Sequence, residues 1–564
     1  MKNPYPLPDG PDFYSLLWPD EKSSLAVNEQ ALAYHDYFKD LCLDKMLDRL
    51  NFSPKGREKA ETLLHNLSTD AKTINYRLDI LQDFIASQEL RDAFQSFTQA
   101  MTMIERNAED KYTHPEEIHI YTSLYEKAAA FISLIEAIRD CPGMQKGRIQ
   151  SNGLAALQLY AAQLSGADVF GAMKQAVQQI AVDYDALDGI VLEFGYYDGL
   201  KDVVIHTGSQ KTEAAAVDHE SFISRLLRYA AAFSDDKDRS AFKIYYDVRF
   251  SRLERLVLER LQEKRPRLFT KIDAFYHQYA AYALEQICTL KEEIEFYLKM
   301  AEMVRTMRQA GLPFCKPELN ACDRQKTSFC GLYDISMALQ MNEAGCQQLA
   351  ADIVLNHLDV RERERLFVIT GPNKGGKTTF IRSLGLAQVL SQVGCFVPAA
   401  AASISLADTI YTHFPQEEIL GVKKGRLGEE AARISVIVQQ ATNRSLVLLN
   451  ETFSSTRRID GYELARDLLQ ILMKINCLGF YVTHFSELAC EVDALNQAYP
   501  AGGQIANLVA GIDDPDGRGL SGQRTYRISR STPSGQGYSQ DIVLKHGLSA
   551  EQLDQLLKTK GYLS

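Results

Sequence analysis

The 564-residue sequence contains no run of 18 apolar residues, and its opening stretch, MKNPYPLPDGPDF, lacks the apolar core of a secretion signal. These absences predict a soluble, cytoplasmic chain without a membrane span. The ten cysteines, scattered from Cys42 to Cys490, include no C-x-x-C pair and no His/Cys cluster at metal spacing. Cys315, Cys322 and Cys330 stand too far apart for a zinc site, so free thiols in a reducing compartment are expected. Internal repeats and low-complexity tracts are missing as well. Excess positive charge is absent: the net charge of −11 speaks against a surface coated for nucleic acid, though one basic patch can coexist with it. What the chain does have is a 46% hydrophobic content, enough for several packed cores, and a length that implies three or four domains.

From Val27 to about Arg148 the pattern is helical. Ile74, Leu78, Leu81 and Phe84/Ile85 recur at three- and four-residue steps and build one apolar face. Asn51 to Gly56 reads as a loop, Cys141-Pro142-Gly143 as a second break, and Leu154 to Val182 as helix again. Near Asp188 the texture changes. GIVLEFGYYDGLKDVVIHTG reads as two short strands around Asp198-Gly199, and FKIYYDV, Phe242 to Val248, as a third, so a small β-containing insertion is expected. Arg249 to Lys271 is locally basic, which fits a solvated helix laced with i,i+4 pairs or a phosphate-contacting face. From Ile272 to Ala310 the apolar spacing predicts one uninterrupted helix, about 58 Å long, ended by Gly311 and Pro313. A helix of that length suits a strut or lever, with its tyrosines serving as packing.

After Leu332 an α/β segment follows. Strands are expected at Leu366–Thr370, Ser445–Leu449, Leu478–Val482 and Arg524–Arg530, and helices at Thr378–Leu390, Glu429–Ala441 and Tyr462–Ile475, forming a largely parallel sheet. Between the first strand and helix lies GPNKGGKTT, a G-x-x-x-x-G-K-T pattern from Gly371 to Thr378. Such a loop cradles phosphate. Backbone amides at Gly371, Gly375 and Gly376 can approach phosphate oxygens, Lys377 supplies a cation, Thr378 a hydroxyl for Mg²⁺, and the helix its positive N-terminal end. The eight-residue pattern arises by chance in long chains; the strand before it and the helix after it make it specific. SLVLLNE, Ser445 to Glu451, then ends a strand in polar residues, where Glu451 could orient or deprotonate a water. The next strand ends at Thr483-His484, which places His484 for contact with a terminal phosphate.

These residues resemble the ATPase domain of the MutS family of DNA mismatch repair proteins. The resemblance rests on GPNKGGKTT, GCFVPA at Gly394 to Ala399, SLVLLNE, Asp460-Gly461 and YVTHFSEL at Tyr481 to Leu488, in the family's order and spacing. FCKPEL at Phe314 to Leu319 is similar to the segment joining levers to ATPase, IVLN at Ile353 to Asn356 to the adenine-side loop, and PSGQGYSQDIVLKHGLS to the closing helix. Over residues 314 to 550 the likeness is one of motifs; over residues 30 to 313 it is architectural. The implied fold class is multidomain α and α/β: a helical core and ascending lever (1–187), a clamp-like insertion (188–271), a returning lever helix and connection (272–331) and an ABC-type P-loop ATPase (332–564). The implied cofactors are ATP and Mg²⁺. Gly371, Pro372, Asn373, Lys374, Gly375, Gly376, Lys377, Thr378, Thr379, Asn356 and Asn450 would bind nucleotide, Thr378, Asn450 and Glu451 would hold Mg²⁺, and Glu451, His484 and Lys377 would carry the chemistry.

The sequence also departs from the family. No F-x-E wedge or connector precedes the helical core, and no nuclease-like tail follows the ATPase, so a short form that does not read mismatches in the usual way is expected. Asn450 stands where the family has aspartate, which predicts weaker Mg²⁺ binding and slow turnover. GRLGEEAARIS, from Gly425, starts without the serine or threonine that the family offers to the opposite subunit's nucleotide; Gly428 amides or Arg426 could substitute, while Glu429 and Glu430 would repel phosphate. The leading expectation is a homodimeric, ATP-gated clamp on branched or structured DNA. An ATP-gated switch on ribosomes or another nucleoprotein, and a non-hydrolysing scaffold, are the alternatives.

Overall fold

The computed structural model describes residues 13–25, 36–109, 117–144, 148–185, 190–196, 200–207, 260–320, 326–415, 426–454, 457–513, 523–531 and 550–560. FKIYYDV, Arg249 to Glu259 of the basic run, Gly425 and residues 533–549 of the closing segment lie outside them. The chain divides into two compact units, each built from two stretches: Met1–Lys22 with Ala86–Leu298, and Ser23–Ile85 with Lys299–Ser564.

The first unit is helical. Gln88–Glu109, Glu117–Asp140, Asn152–Gly166 and Asp168–Asp185 pack around Phe94, Phe131, Ile135, Leu157, Tyr160 and Met173. The expected break at Cys141–Gly143 is a single 3-10 turn, Pro142–Met144. Strands β1 (Ile190–Tyr196) and β2 (Leu200–Thr207) form the anticipated antiparallel hairpin, in register Ile190 with Thr207. The long helix spans Pro266–Gln309 and starts six residues earlier than its apolar period implied, because Pro266 suits a first helical turn. At 1.5 Å per residue it is about 66 Å long. The division between units falls inside it, after Leu298. Tyr276, Tyr279 and Tyr297 pack, as expected. Tyr276 stacks on Tyr121 at 4.1 Å, and Tyr297 donates its hydroxyl hydrogen to Leu16 O. Glu293 is buried because the N-terminal strap satisfies it, through Ser15 Oγ (2.6 Å) and the Leu16 amide (2.8 Å).

The second unit carries two sheets. Strands β3 (Glu318–Asn320), β4 (Ser328–Leu332), β5 (Asn356–Asp359) and β7 (Ala401–Ser405) make a small sheet in the order β3-β7-β4-β5. The larger sheet contains β6 (Glu364–Thr370), β8 (Ile410–His413), β9 (Leu446–Asn450), β10 (Leu478–Val482), β11 (Gln504–Asp513) and β12 (Gln523–Arg530). Its order is β12-β11-β6-β10-β9-β8, parallel throughout except for β12. The expected strands are therefore present, joined by β8 and β11, which the pattern did not single out.

Helices α1 (Asp36–Asp40), α2 (Ala71–Ala86), α3 (Lys377–Gln392), α4 (Arg426–Gln440) and α5 (Arg458–Ile475) surround this sheet. The loop read at Asn51–Gly56 shortens to three residues, since Ser53 caps the Gly56 amide and Pro54 opens the next helix. Residues 36–85 belong to the sheet's unit. Leu41 reaches α3 where a Cβ on Gly385 would lie 2.6 Å from it. Arg77, fully buried on α2, donates to Val393 O beyond the C-terminal end of α3 and lies where Gly394 (φ +83°) leaves room; any side chain there would collide with it. Phe380, Ile381, Leu384 and Leu386 make α3 a buried helix, each side chain contributing about 1.5–3 kcal/mol.

Candidate nucleotide-binding site

Parallel strands deliver their carboxyl ends to one edge of the sheet, and the predicted site residues follow from that. β6 ends at Thr370 and runs into the glycine loop; β9 ends at Asn450, with Glu451 next; β10 ends at Val482, with Thr483 and His484 next. Val482 pairs with Asn450 on one side and Ile369 on the other, so the three ends are level.

The loop is tightly determined. Gly376 (φ +90°) faces Tyr526, whose Cδ1 would lie 3.5 Å from an added Cβ. Lys377 is 4% exposed and donates from Nζ to Gly371 O and Pro372 O, both at 2.9 Å. Burial pushes its ammonium pKa down and Arg524 adds to that, while Glu451 opposes it. Thr378 Oγ1 donates to Asn450 Oδ1 at 3.1 Å. Two neutral oxygens side by side next to a phosphate loop fit a hard cation such as Mg²⁺, which takes oxygen ligands. His484 Nε2 donates to Glu451 Oε1 at 2.8 Å, and this bond, aided by the imidazole charge and by Lys377, holds the Glu451 carboxyl below its usual range against the opposing pull of burial.

A cavity of about 520 Å³ opens on Lys377, Thr378 and Glu451; Asn450 and His484 are bonded to these residues without lining it. Lys374 to Thr379 and Glu451 line one end; Tyr333, Met337, Met341, Ile353, Asn356 and Tyr526 line the other. That volume and its polar and apolar ends suit a nucleoside triphosphate. Gly371 and Pro372 stand behind the loop as acceptors for Lys377, and Asn373 is exposed on its crest. Asn356 binds protein: its Nδ2 donates to Tyr526 O and its Oδ1 accepts from Ile528 N, which joins β5 to β12. Tyr526, with φ +56°, was not anticipated; no local motif marks it, because it reaches the cavity from the irregular part of β12, where the pairing with β11 shifts register between Arg524 and Ile528.

The helix expected to begin at Glu429 needs a correction to its start. Helix α4 starts at Arg426, three residues before the expected Glu429, so Gly428 is already helical. Glu430 turns inward, its Oε2 accepting from the Phe453 amide at 3.2 Å.

Two family models match the chain. One, described as MutS domain V, covers residues 367–505, from the strand before the phosphate loop past His484; the other, MutS2 N-terminal domain, covers residues 69–310. The chain is a member of the MutS family. Among curated relatives, a DNA mismatch repair protein MutS of Thermosipho melanesiensis is 35% identical over 143 residues, 25% of this chain and 18% of that protein. The MutS proteins of Prochlorococcus marinus (strain MIT 9301) and Thermus thermophilus are 38% and 30% identical over 145 and 197 residues, which are 25% and 35% of this chain and 16% and 23% of theirs. The alignments thus span about a fifth of the MutS relatives' length. No helix among the described residues is long and apolar enough to cross a membrane.

Proposed function

We propose that this chain binds and hydrolyses ATP in the 520 Å³ cavity and uses that cycle to gate binding to DNA. The carrying observation is the convergence at one sheet edge of the Thr378–Asn450 oxygen pair, the Glu451–His484 pair and the lysine of the glycine loop. Loop amides and Lys377 hold the phosphates, the ammonium exchanging its two carbonyl partners for phosphate oxygens. Thr378 and Asn450 face the cation, which when bound screens the phosphate charge. Glu451 accepts a proton from the attacking water, and His484, bonded to its other face, keeps the carboxylate aimed. Met337, Met341, Ile353 and Tyr526 take the base, with Asn356 holding β12 and so Tyr526 in place.

The site is one half of a composite, completed by a second copy. Exposed Leu427 at the start of α4 and Ile459 (73% exposed) at the start of α5 support such a face. The DNA recognised is branched or otherwise structured, held mainly through phosphates, so its affinity falls steeply with salt.

Phosphate release with ATP, measured alone and with duplex, mismatched and junction DNA, tests the reading. Slow turnover, raised by junction DNA and lost in Lys377→Ala and Glu451→Gln, is expected; turnover indifferent to both substitutions sinks the ATPase assignment. A salt-independent interaction, or selective co-sedimentation with ribosomes, replaces DNA with the nucleoprotein alternative. Binding of ATP without turnover leaves the scaffold.

A further inference from the structure

Glu451 is carried by a turn that is costly to hold. Both Glu451 (φ +51°) and Phe453 (φ +65°) are left-handed without being glycine, a conformation that persists only where the surroundings hold it. The surroundings over-determine the turn. The Glu451 amide donates to Val482 O (2.8 Å), the Tyr481 hydroxyl to Thr452 O (2.9 Å), and Thr452 Oγ1 shares a hydrogen bond with His413 Nδ1 (3.0 Å). Those partners sit on the neighbouring strands β10 and β8. The last bond is different: the Phe453 amide donates to Glu430 Oε2, on helix α4.

Glu430 lies on the inner face of α4 with Arg433, Ile434 and Ile437, at the i, i+3, i+4, i+7 steps of one helical stripe. Arg433 fixes that face to two other elements. Its Nη2 donates to Asp40 Oδ2 (2.7 Å) and its Nε to Asp36 Oδ2 (3.0 Å), both on α1. The same guanidinium donates to the carbonyls of Thr412 (3.3 Å) and Phe414 (3.4 Å), which flank His413. Asp40 closes the ring, accepting from Thr412 Oγ1 at 2.8 Å.

We propose that Glu430 is a positioning residue for hydrolysis: by taking the Phe453 amide it ties the Glu451 turn to α4, so the aim of the Glu451 carboxylate follows the pose of that helix, which Arg433 anchors to α1 through Asp36 and Asp40. The inference rests on the ATPase reading above. It makes the helical segment 36–40 part of the machinery that sets turnover, although no residue of that segment lines the nucleotide cavity.

The test measures single-turnover ATP hydrolysis and fluorescent-ATP affinity on the full chain. Glu430→Ala is expected to slow hydrolysis roughly tenfold to a hundredfold, as a misaimed catalytic group does, with affinity changed less than about twofold. Glu430→Gln, whose carboxamide oxygen can accept the same amide, recovers to within roughly threefold of the unsubstituted rate. Asp40→Asn, remote from the turn, slows hydrolysis by roughly threefold to tenfold at unchanged affinity. An unchanged rate in Glu430→Ala or Asp40→Asn, a proportional loss of binding and rate, or failure of Glu430→Gln to rescue overturns the proposal. Glu451→Gln and Lys377→Ala run beside these. If hydrolysis in the unsubstituted chain does not depend on them, the ATPase reading falls and takes this inference with it; if it does and Glu430→Ala is silent, only the inference falls.

Discussion

At its phosphate end the cavity is walled by the consecutive residues Lys374 to Thr379 and by Glu451, the first residue after β9, whereas its other end is assembled from Tyr333, Met337, Met341, Ile353, Asn356 and Tyr526. The first end is rigid and polar: Lys377, Asn450 and Thr452 are all buried and hydrogen-bonded. The second is a mixed set of side chains gathered by tertiary packing, Met337, Met341 and Ile353 beside Asp334, Asp352 and Asn356, with Tyr526 48% exposed. Phosphate recognition needs fixed amides and charges, which a strand-loop-helix unit supplies locally; base recognition needs only a slot of the right width, which many sequences can line.

Three substitutions bring out this difference, from the largest expected effect to the smallest. The buried His413, behind the phosphate end, has its pKa pushed down to about 4 by burial and then by Arg433. The fold therefore holds it neutral, and its contribution to stability is complete above about pH 6.5 and disappears as the pH falls toward 4. Across that window the unit holding the cavity should lose on the order of 3 kcal/mol more than a His413→Gln variant does, read by denaturant unfolding at a series of pH values. Equal pH slopes in the two proteins would show that the ring is not held neutral. Second in size is Asn450→Asp, which adds a charge beside Thr378. It should lower the Mg²⁺ concentration for half-maximal turnover roughly tenfold, about 1.4 kcal/mol, in a metal titration; no shift removes Asn450 from the cation's surroundings. Tyr526→Ala should cost about 1 kcal/mol in ATP affinity and almost none in affinity for inorganic triphosphate. Equal losses for both ligands would mean that Tyr526 serves the phosphate end, and the contrast between the ends would fail.

That same contrast decides how much was legible in the sequence. Gly371 to Thr378, the strand ending at Asn450 and Val482 before His484 all announce themselves within a few residues, because each function is built by neighbours in the chain. Leu478–Val482 even has its expected bounds. By contrast, β3 and β5 are only three and four residues long, too short for an alternating pattern to register. Glu430 reads as a helix-dipole residue until the Phe453 amide is beside it, and Asp40 is one acidic residue among many until Arg433 meets it across 393 positions. The long helix was legible in type and length, but the six residues added at Pro266 depend on proline's fixed φ, which overrides the apolar period there.

The grouping of Ser23–Ile85 with Lys299–Ser564 has a consequence for synthesis. As the chain emerges from the N-terminal end, Leu41, Arg77 and Asp40 appear long before Gly385, Val393 and Arg433 exist to receive them. The unit holding Ala86–Leu298 can close on itself in the interval, while the first stretch of the second unit waits with its apolar side chains uncovered. Completion of the unit that holds the cavity is thereby a late, long-range event, and a nascent chain stalled before Arg433 would carry the kind of surface that chaperones recognise.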